Sequence, residues 1–349
     1  MINKDFCLSS YIAYRYIYQE GIEFASGLEH HNFTPIASKD RVPVKDAQEM
    51  DADIALQIED LYQQYDSIGV LLSGGMDSAI AASYLRQGSH AYTFTTSESD
   101  VFSADVHRAQ AYCKRLGLEH HLIEINFDDY KQYTPITMQH KGAPVHSIEP
   151  QIYKAALAAK KDGVQLILVG ESADLIFGGM DKLISRDWDF DDFVKRYTFL
   201  PPEQVLSAPD MSVYQLYDAY RLPDGKIDFM RFMDDVFSIE SSGSYWNAFG
   251  VAGLPYHDPY ARMIMSNPLD LSRVRNGEPK YLVRELFAMR HPSMEIPFKI
   301  PMPRPVDAIF KDWTGPTRPE FRTDIDMSSL SGNQKWQLWC AEQFLNMID

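Results

Sequence analysis

The chain is predicted to be an α/β protein built on a doubly wound parallel sheet, with a large helical portion. Two short apolar runs, Ile68–Leu72 and Val164–Val169 (VQLILV), have the length and composition of strands buried on both faces. Stretches of helical periodicity alternate with these runs, as expected of parallel strands joined by crossover helices. From Asp187 to Gly253 the pattern is helical and aromatic-rich, without strand alternation.

With 349 residues the chain can bury a full core. We divide it into an N-terminal arm and lead-in helix, 1–60, and a main domain, 61–349, whose sheet occupies 61–185 and whose remainder, 186–349, is mostly helical. The net charge of −16 argues against a broad nucleic-acid surface, which needs clustered Lys and Arg. Apolar runs fall far short of a membrane span, and the N-terminus has no continuous apolar segment of signal-peptide type, so a cytoplasmic protein is expected. Cys7, Cys113 and Cys340 are scattered and suggest neither a disulfide framework nor a metal cluster.

In chain order, the tyrosines 11, 14, 16 and 18 belong to a packed arm. Asp51–Tyr65 repeats Ile54, Ile58, Leu61 and Tyr62 at helical spacing and leads into the strand that begins at Ile68. A helix follows the glycine turn after Leu72. Ala91–Thr95 is a second strand, and Phe102–Leu116 is a helix stopped by Gly117. Glu119–Ile125 is a third strand, residues 150–161 a helix, and Val164–Val169 a fourth strand. Phe229–Phe237 is amphipathic helix, and residues 306–349 end in helix. The segment 130–150 is a candidate for substrate specificity.

Ligands in such sheets bind beyond the carboxyl ends of the strands. That places two loops on one rim, and both carry chemistry. After the first strand comes Ser73-Gly74-Gly75-Met76-Asp77-Ser78. The glycines let backbone N–H groups approach a phosphate, the helix start adds a favourable field, and Ser73 and Ser78 offer hydroxyl donors. Asp77 repels phosphate directly, so its place there is to hold Mg2+. No GxxxxGK[ST] sequence occurs. The stretch resembles the SGGxDS loop of N-type ATP pyrophosphatases, which cleave ATP to AMP and pyrophosphate. The resemblance implies the adenine-nucleotide α-hydrolase, or PP-loop, form of the sheet.

After the fourth strand comes GESADLIFGG, Gly170–Gly179. It is similar to the GEGxDExFGG segment of asparagine synthetases and β-lactam synthetases. The resemblance implies that Gly170 belongs to the nucleotide site, that Asp174 is the second Mg2+ carboxylate beside Asp77, and that Glu171 takes the incoming amine's proton. A carboxylate within hydrogen-bond reach of an amine can do this. β-Lactam synthetases carry Tyr where Glu171 stands, so Glu171 favours ammonia or a simple amine over ring closure. Leu175 departs from the family, which often has Glu there.

Residues 253–287 look like the family's RxPFLD and GxxKxxLR blocks, with Asp258, Lys280 and Arg284 on the family's Asp, Lys and Arg. Four apart, Lys280 and Arg284 are expected on one helical face, assisting the leaving pyrophosphate. IPFKIPMPRP resembles the segment whose Lys, here Lys299, stabilises charge on the α-phosphate and the oxyanion.

The resemblance implies an asparagine-synthetase-like ligase that uses MgATP to adenylate a carboxylic acid and passes the acyl group to ammonia or an amine. The family's glutaminase domain starts with Cys after the initiator Met. Ile2 stands there in this chain, so the expected nitrogen source is free ammonia, another amine or a separate glutaminase. Cyclases of β-lactam or peptide type, and a non-catalytic ATP-binding subunit, are the alternatives.

Overall fold

The computed structural model describes residues 1–180, 182–297, 302 and 304–349. Its strands are β1 (Val42–Val44), β2 (Ile68–Leu71), β3 (His90–Thr95), β4 (Glu119–Glu124), β5 (Leu166–Leu168), β6 (Tyr256–His257) and β7 (Met263–Met265). Five of them form one sheet in the order β4-β3-β2-β5-β6, and every neighbouring pair is parallel. Chain order runs outward in both directions from β2. The switch point of this doubly wound sheet therefore lies between β2 and β5, where a crevice opens at the strand ends.

The central strands are apolar on both faces because helices cover both faces. All of Ile68–Leu71 and Leu166–Leu168 is buried. The helix Met76–Ala82 follows β2, and Ser103–Leu116 follows β3. Gly117 closes the latter in the left-handed region at φ 70°. Glu149–Lys161 precedes β5.

The structure departs from the sequence reading in one place and fills it in at two others. The sheet takes its fifth strand, β6, from the portion read as mostly helical. Two residues after Pro255 are too short to alternate, yet Ile167 and Val169 donate backbone bonds to Pro255 (3.0 Å) and His257 (2.9 Å). The segment 130–150 is largely the helix Phe127–Lys141, which carries Pro135 in its interior and starts on a reciprocal Asn126–Asp129 cap. The N-terminal arm is the helix Lys4–Tyr14 followed later by β1, which pairs in parallel with β7.

Tyr11, Tyr14 and Tyr16 are buried. The phenols of Tyr11 and Tyr14 donate to the carbonyls of Val145 (2.9 Å) and Val213 (3.0 Å). The helix beginning at Phe229 runs on to Ala252 through a π-helical turn at Met233–Phe237. Such a turn rephases a helix by one residue. Phe232 packs in an aromatic cluster with Phe193, Tyr197 and Tyr217, while the helix beyond the turn reaches the strand ends. Among the described residues, no helix is long and apolar enough to cross a membrane.

Candidate active site at the switch point of the sheet

The loop after β2 is folded tightly on itself. Ser73 N–H donates to Ser78 Oγ (3.2 Å), the two hydroxyls lie 3.1 Å apart, and Gly75 N–H donates to Ser73 Oγ (3.3 Å). Gly74 has φ 74°, and a Cβ there would stand 2.6 Å from Asp105 O. Backbone handedness and space both demand glycine. Arg108 fixes the loop from the neighbouring helix, donating Nε–H to Gly74 O (2.9 Å) while pairing with Asp105. Burial pushes the Asp105 carboxyl up to about 6 against that guanidinium. Arg108 and Asp105 belong to no motif, and sequence reasoning missed them.

The second rim loop, after β5, touches the first. A Cβ on Gly170 would meet Asp77 and Ser78 atoms at 3.0–3.1 Å, so this glycine allows the two loops to approach. Asp258, just past β6, pins the second loop by accepting from Ser172 N–H (2.7 Å) and Tyr260 N–H (3.0 Å). Burial raises its carboxyl to about 6, and the amide donors oppose the rise. Tyr260 in turn donates its hydroxyl to Asp77 O (3.1 Å). Leu175 packs against the apolar core.

Asp77 and Asp174 converge on one cation. Lys280 Nζ lies 2.6 Å from Asp77 Oδ2 and 2.8 Å from Asp174 Oδ1. Burial disfavours this ammonium, but the two carboxylates outweigh burial and raise its pKa. Gly179 leaves room for it, since a Cβ there would collide with Asp174 and come within 2.8 Å of Lys280 Cδ.

This geometry corrects the expected Lys280–Arg284 face. The helix is Tyr281–Arg290, and Lys280 caps it from outside at φ 54°. The left-handed turn directs Lys280 to the carboxylates, while Arg284 directs its Nε–H to Pro279 O (2.9 Å). Lys299 lies outside the described residues.

Glu171 is half-buried and accepts from Ser241 Oγ. Burial pushes its carboxyl up to about 7, and the nearby Asp174 and Asp258 carboxylates add to the rise, against the hydroxyls of Ser241 and Tyr245. Burial and Glu171 together raise the Tyr245 phenol. Ser241 and Tyr245 sit on the helix Ser238–Ala252. A buried knot anchors that helix: Asn247 Nδ2 donates to Glu149 Oε2 (2.6 Å) and Thr137 O (3.0 Å), and Lys141 Nζ pairs with Glu149 Oε1 (2.9 Å).

Next to Ser241, Glu240 pairs with Arg15 Nε at 3.0 Å. Arg15 adopts φ 67° at the end of the first helix and places Nη1 3.4 Å from His146 Nε2. Burial, with Arg304 and Arg15 nearby, pulls the His146 pKa well down. Arg304 bonds Asn333 Oδ1 (3.2 Å), which also accepts from Ser147 Oγ (3.1 Å). Burial and the neighbouring Arg15 lower the Arg304 pKa. Among the described residues, two guanidiniums here share the single carboxylate Glu240. Nothing in the local sequence at Arg15 or Arg304 signals this arrangement, because its members come from residues 15, 146, 240, 304 and 333.

Residues 58–226, just under half of the chain, match the asparagine synthase family. This segment is similar to an asparagine synthase domain. It contains both rim loops, and the match points to an ATP-dependent ligase domain. No curated protein sequence matches the chain. Among solved structures, the chain is similar to an NH3-dependent NAD synthetase from Campylobacter jejuni, at 16% identity and TM-score 0.30, covering 60% of this chain and 96% of that one. An NMN synthetase from Francisella tularensis has 11% identity and TM-score 0.30, covering 74% of this chain and 99% of its own. A U34-tRNA thiolase from Methanococcus maripaludis has 11% identity and TM-score 0.24, covering 67% and 75% respectively.

Proposed function

We propose that the chain is an amide-forming ligase that joins a small carboxylic acid to ammonia or a simple amine at the expense of ATP. The observation that carries this reading is Glu171. It is a carboxyl held near pH 7 on the same rim loop as Asp174, in hydrogen-bond contact with Ser241. A base with a pKa near the working pH transfers protons efficiently.

The substrate's carboxylate oxygen attacks the α-phosphorus of ATP, the α–β P–O bond breaks, and pyrophosphate leaves. The amine nitrogen then attacks the acyl carbon of the acyl-adenylate, the C–O bond to AMP breaks, and Glu171 takes the proton from nitrogen. The hydroxyls of Ser73 and Ser78 and the backbone at Gly74, Gly75 and Gly170 line the phosphate side. Asp77 and Asp174 suit Mg2+, being oxygen donors already gathered around one positive charge at Lys280. Bound there, Mg2+ would neutralise phosphate charge. Lys280 supplies positive charge at the same point, Arg284 assists pyrophosphate, and Lys299 is assigned the charge on the α-phosphate and the oxyanion. The excess cation among Arg15, Arg304 and Glu240 favours an acid that carries a further anionic group.

The test is AMP and pyrophosphate release from MgATP with ammonium and a panel of carboxylic acids beginning with aspartate. Release that depends on one acid, and is abolished by Asp77→Ala and by Asp174→Ala, supports the reading. ATP binding without release, with every acid and amine supplied, would favour a non-catalytic nucleotide-binding role.

A further inference from the structure

The opposite end of the sheet carries a second cluster of donors. His90 opens β3 and pairs in register with Glu119, which opens β4; His121 lies two residues further along β4. Residues two apart on a strand share a face, so all three side chains rise from one side of the sheet. We propose that His90, Glu119 and His121 form a site for a divalent transition metal of zinc type, clipping the edge strand β4 to β3.

The distances suit a tetrahedral ion. With ligand bonds of about 2.0–2.2 Å, neighbouring ligand atoms stand roughly 3.3–3.5 Å apart. His90 Nδ1 is 3.6 Å from Glu119 Oε2 and 2.8 Å from His121 Nε2. One donor from each residue lies within 4.8 Å of the others. The imidazole pair has to open by about half an ångström to reach the tetrahedral spacing.

A second observation points the same way. With Nε2 of His121 toward the cluster, its Nδ1 faces Asp162 Oδ2 at 3.6 Å, and the Tyr92 hydroxyl donates to that same oxygen at 2.9 Å. A carboxylate behind the distal ring nitrogen sets the tautomer and orientation of a metal-bound imidazole. Tyr92 also stacks on His121, with centroids 4.9 Å apart, which restricts the ring further. Glu119 is the exposed member, with 62% of its side chain accessible, so a fourth position is open to water. The donor set of two imidazoles and a carboxylate selects zinc-type ions over the Mg2+ that suits the all-oxygen pair at the other end of the sheet.

The experiment uses the full chain, stripped with EDTA and then exposed to Zn2+ in millimolar Mg2+, supplied to compete for the Asp77–Asp174 pair. Zinc retained through gel filtration is measured by emission spectrometry, and Co2+ substitution is followed by its visible absorption. Wild type is expected to retain zinc and melt higher with it. His121→Ala and His90→Gln are expected to lose it at least tenfold while keeping the far-ultraviolet dichroism of wild type. Asp162→Asn is expected to weaken binding about 10–100-fold, and His107→Ala, an exposed histidine elsewhere, to leave it unchanged. No zinc retained by wild type, or equal retention by folded His121→Ala, overturns the proposal and leaves the two imidazoles sharing a proton.

Discussion

Glu171 is the residue on which the proposed chemistry turns. Its carboxyl sits near 7 because burial and the two neighbouring carboxylates disfavour the anion more than Ser241 and Tyr245 favour it. The base form exists above that value, so amide formation should rise with pH and level off above about 7. Glu171→Gln should flatten this rise and slow the amine step by about 10²–10⁴-fold, while acid-dependent pyrophosphate release persists. A rate–pH profile with the two products assayed separately checks this; an unchanged profile in the variant would remove Glu171 from the proton transfer. Lys280 shows the limit of spacing arguments at this scale. An i, i+4 pair predicts one helical face, but the left-handed φ of 54° at Lys280 turns it out of the helix and onto the carboxylates.

At the scale of elements, the helix Ser238–Ala252 links Glu171 to the buried scaffold. It carries Glu240 and Ser241 at its start, and Tyr245 and the anchoring Asn247 in its middle. Asn247→Ala would leave Glu149 Oε2 and Thr137 O without this donor in the core. Such a loss costs about 1–3 kcal/mol. Thermal melts should show that destabilisation. Because the same helix presents Ser241 to Glu171, the amine step should fall more than ATP binding. Equal losses in both would mean that the helix contributes only stability. The π turn at Met233–Phe237 was not legible in the sequence, where FMRFMDDVF reads as one uninterrupted amphipathic helix. The turn lies between Phe232, packed in the aromatic cluster, and the later turns, held by the Glu149 knot.

At the scale of the whole molecule, the ends of the chain meet across the core. The C-terminal helix Gly332–Ile348 bonds back to the first helix through Gln337 Nε2 on Ile12 O (3.0 Å), and Phe344 packs on Phe24 at 4.8 Å between centroids. Family resemblance at the sequence level starts only at residue 58. Removing residues 1–18 should nevertheless abolish cooperative unfolding, because it strips out the buried Phe6, Leu8, Tyr11, Ile12 and Tyr14 and leaves Glu240 without Arg15. Denaturant titration followed by dichroism checks this. A truncated chain with an undiminished midpoint would show that the arm is dispensable to the fold.

The sequence alone determined the central strands and the two rim loops, whose motifs carry the resemblance to ATP-dependent ligases. These rest on local signals: apolar runs that only a two-sided sheet can bury, glycines where the backbone must turn or approach closely, and carboxylates beside them. Strand order, the fifth strand, the Lys280 bridge, the shift of Glu171 and the gathering of Arg15, His146, Glu240 and Arg304 were decided by the tertiary structure. Each depends on groups far apart in the chain. Their charges, desolvation and hydrogen bonds have no local periodicity, and they come into being when the packed core sets the distances between them.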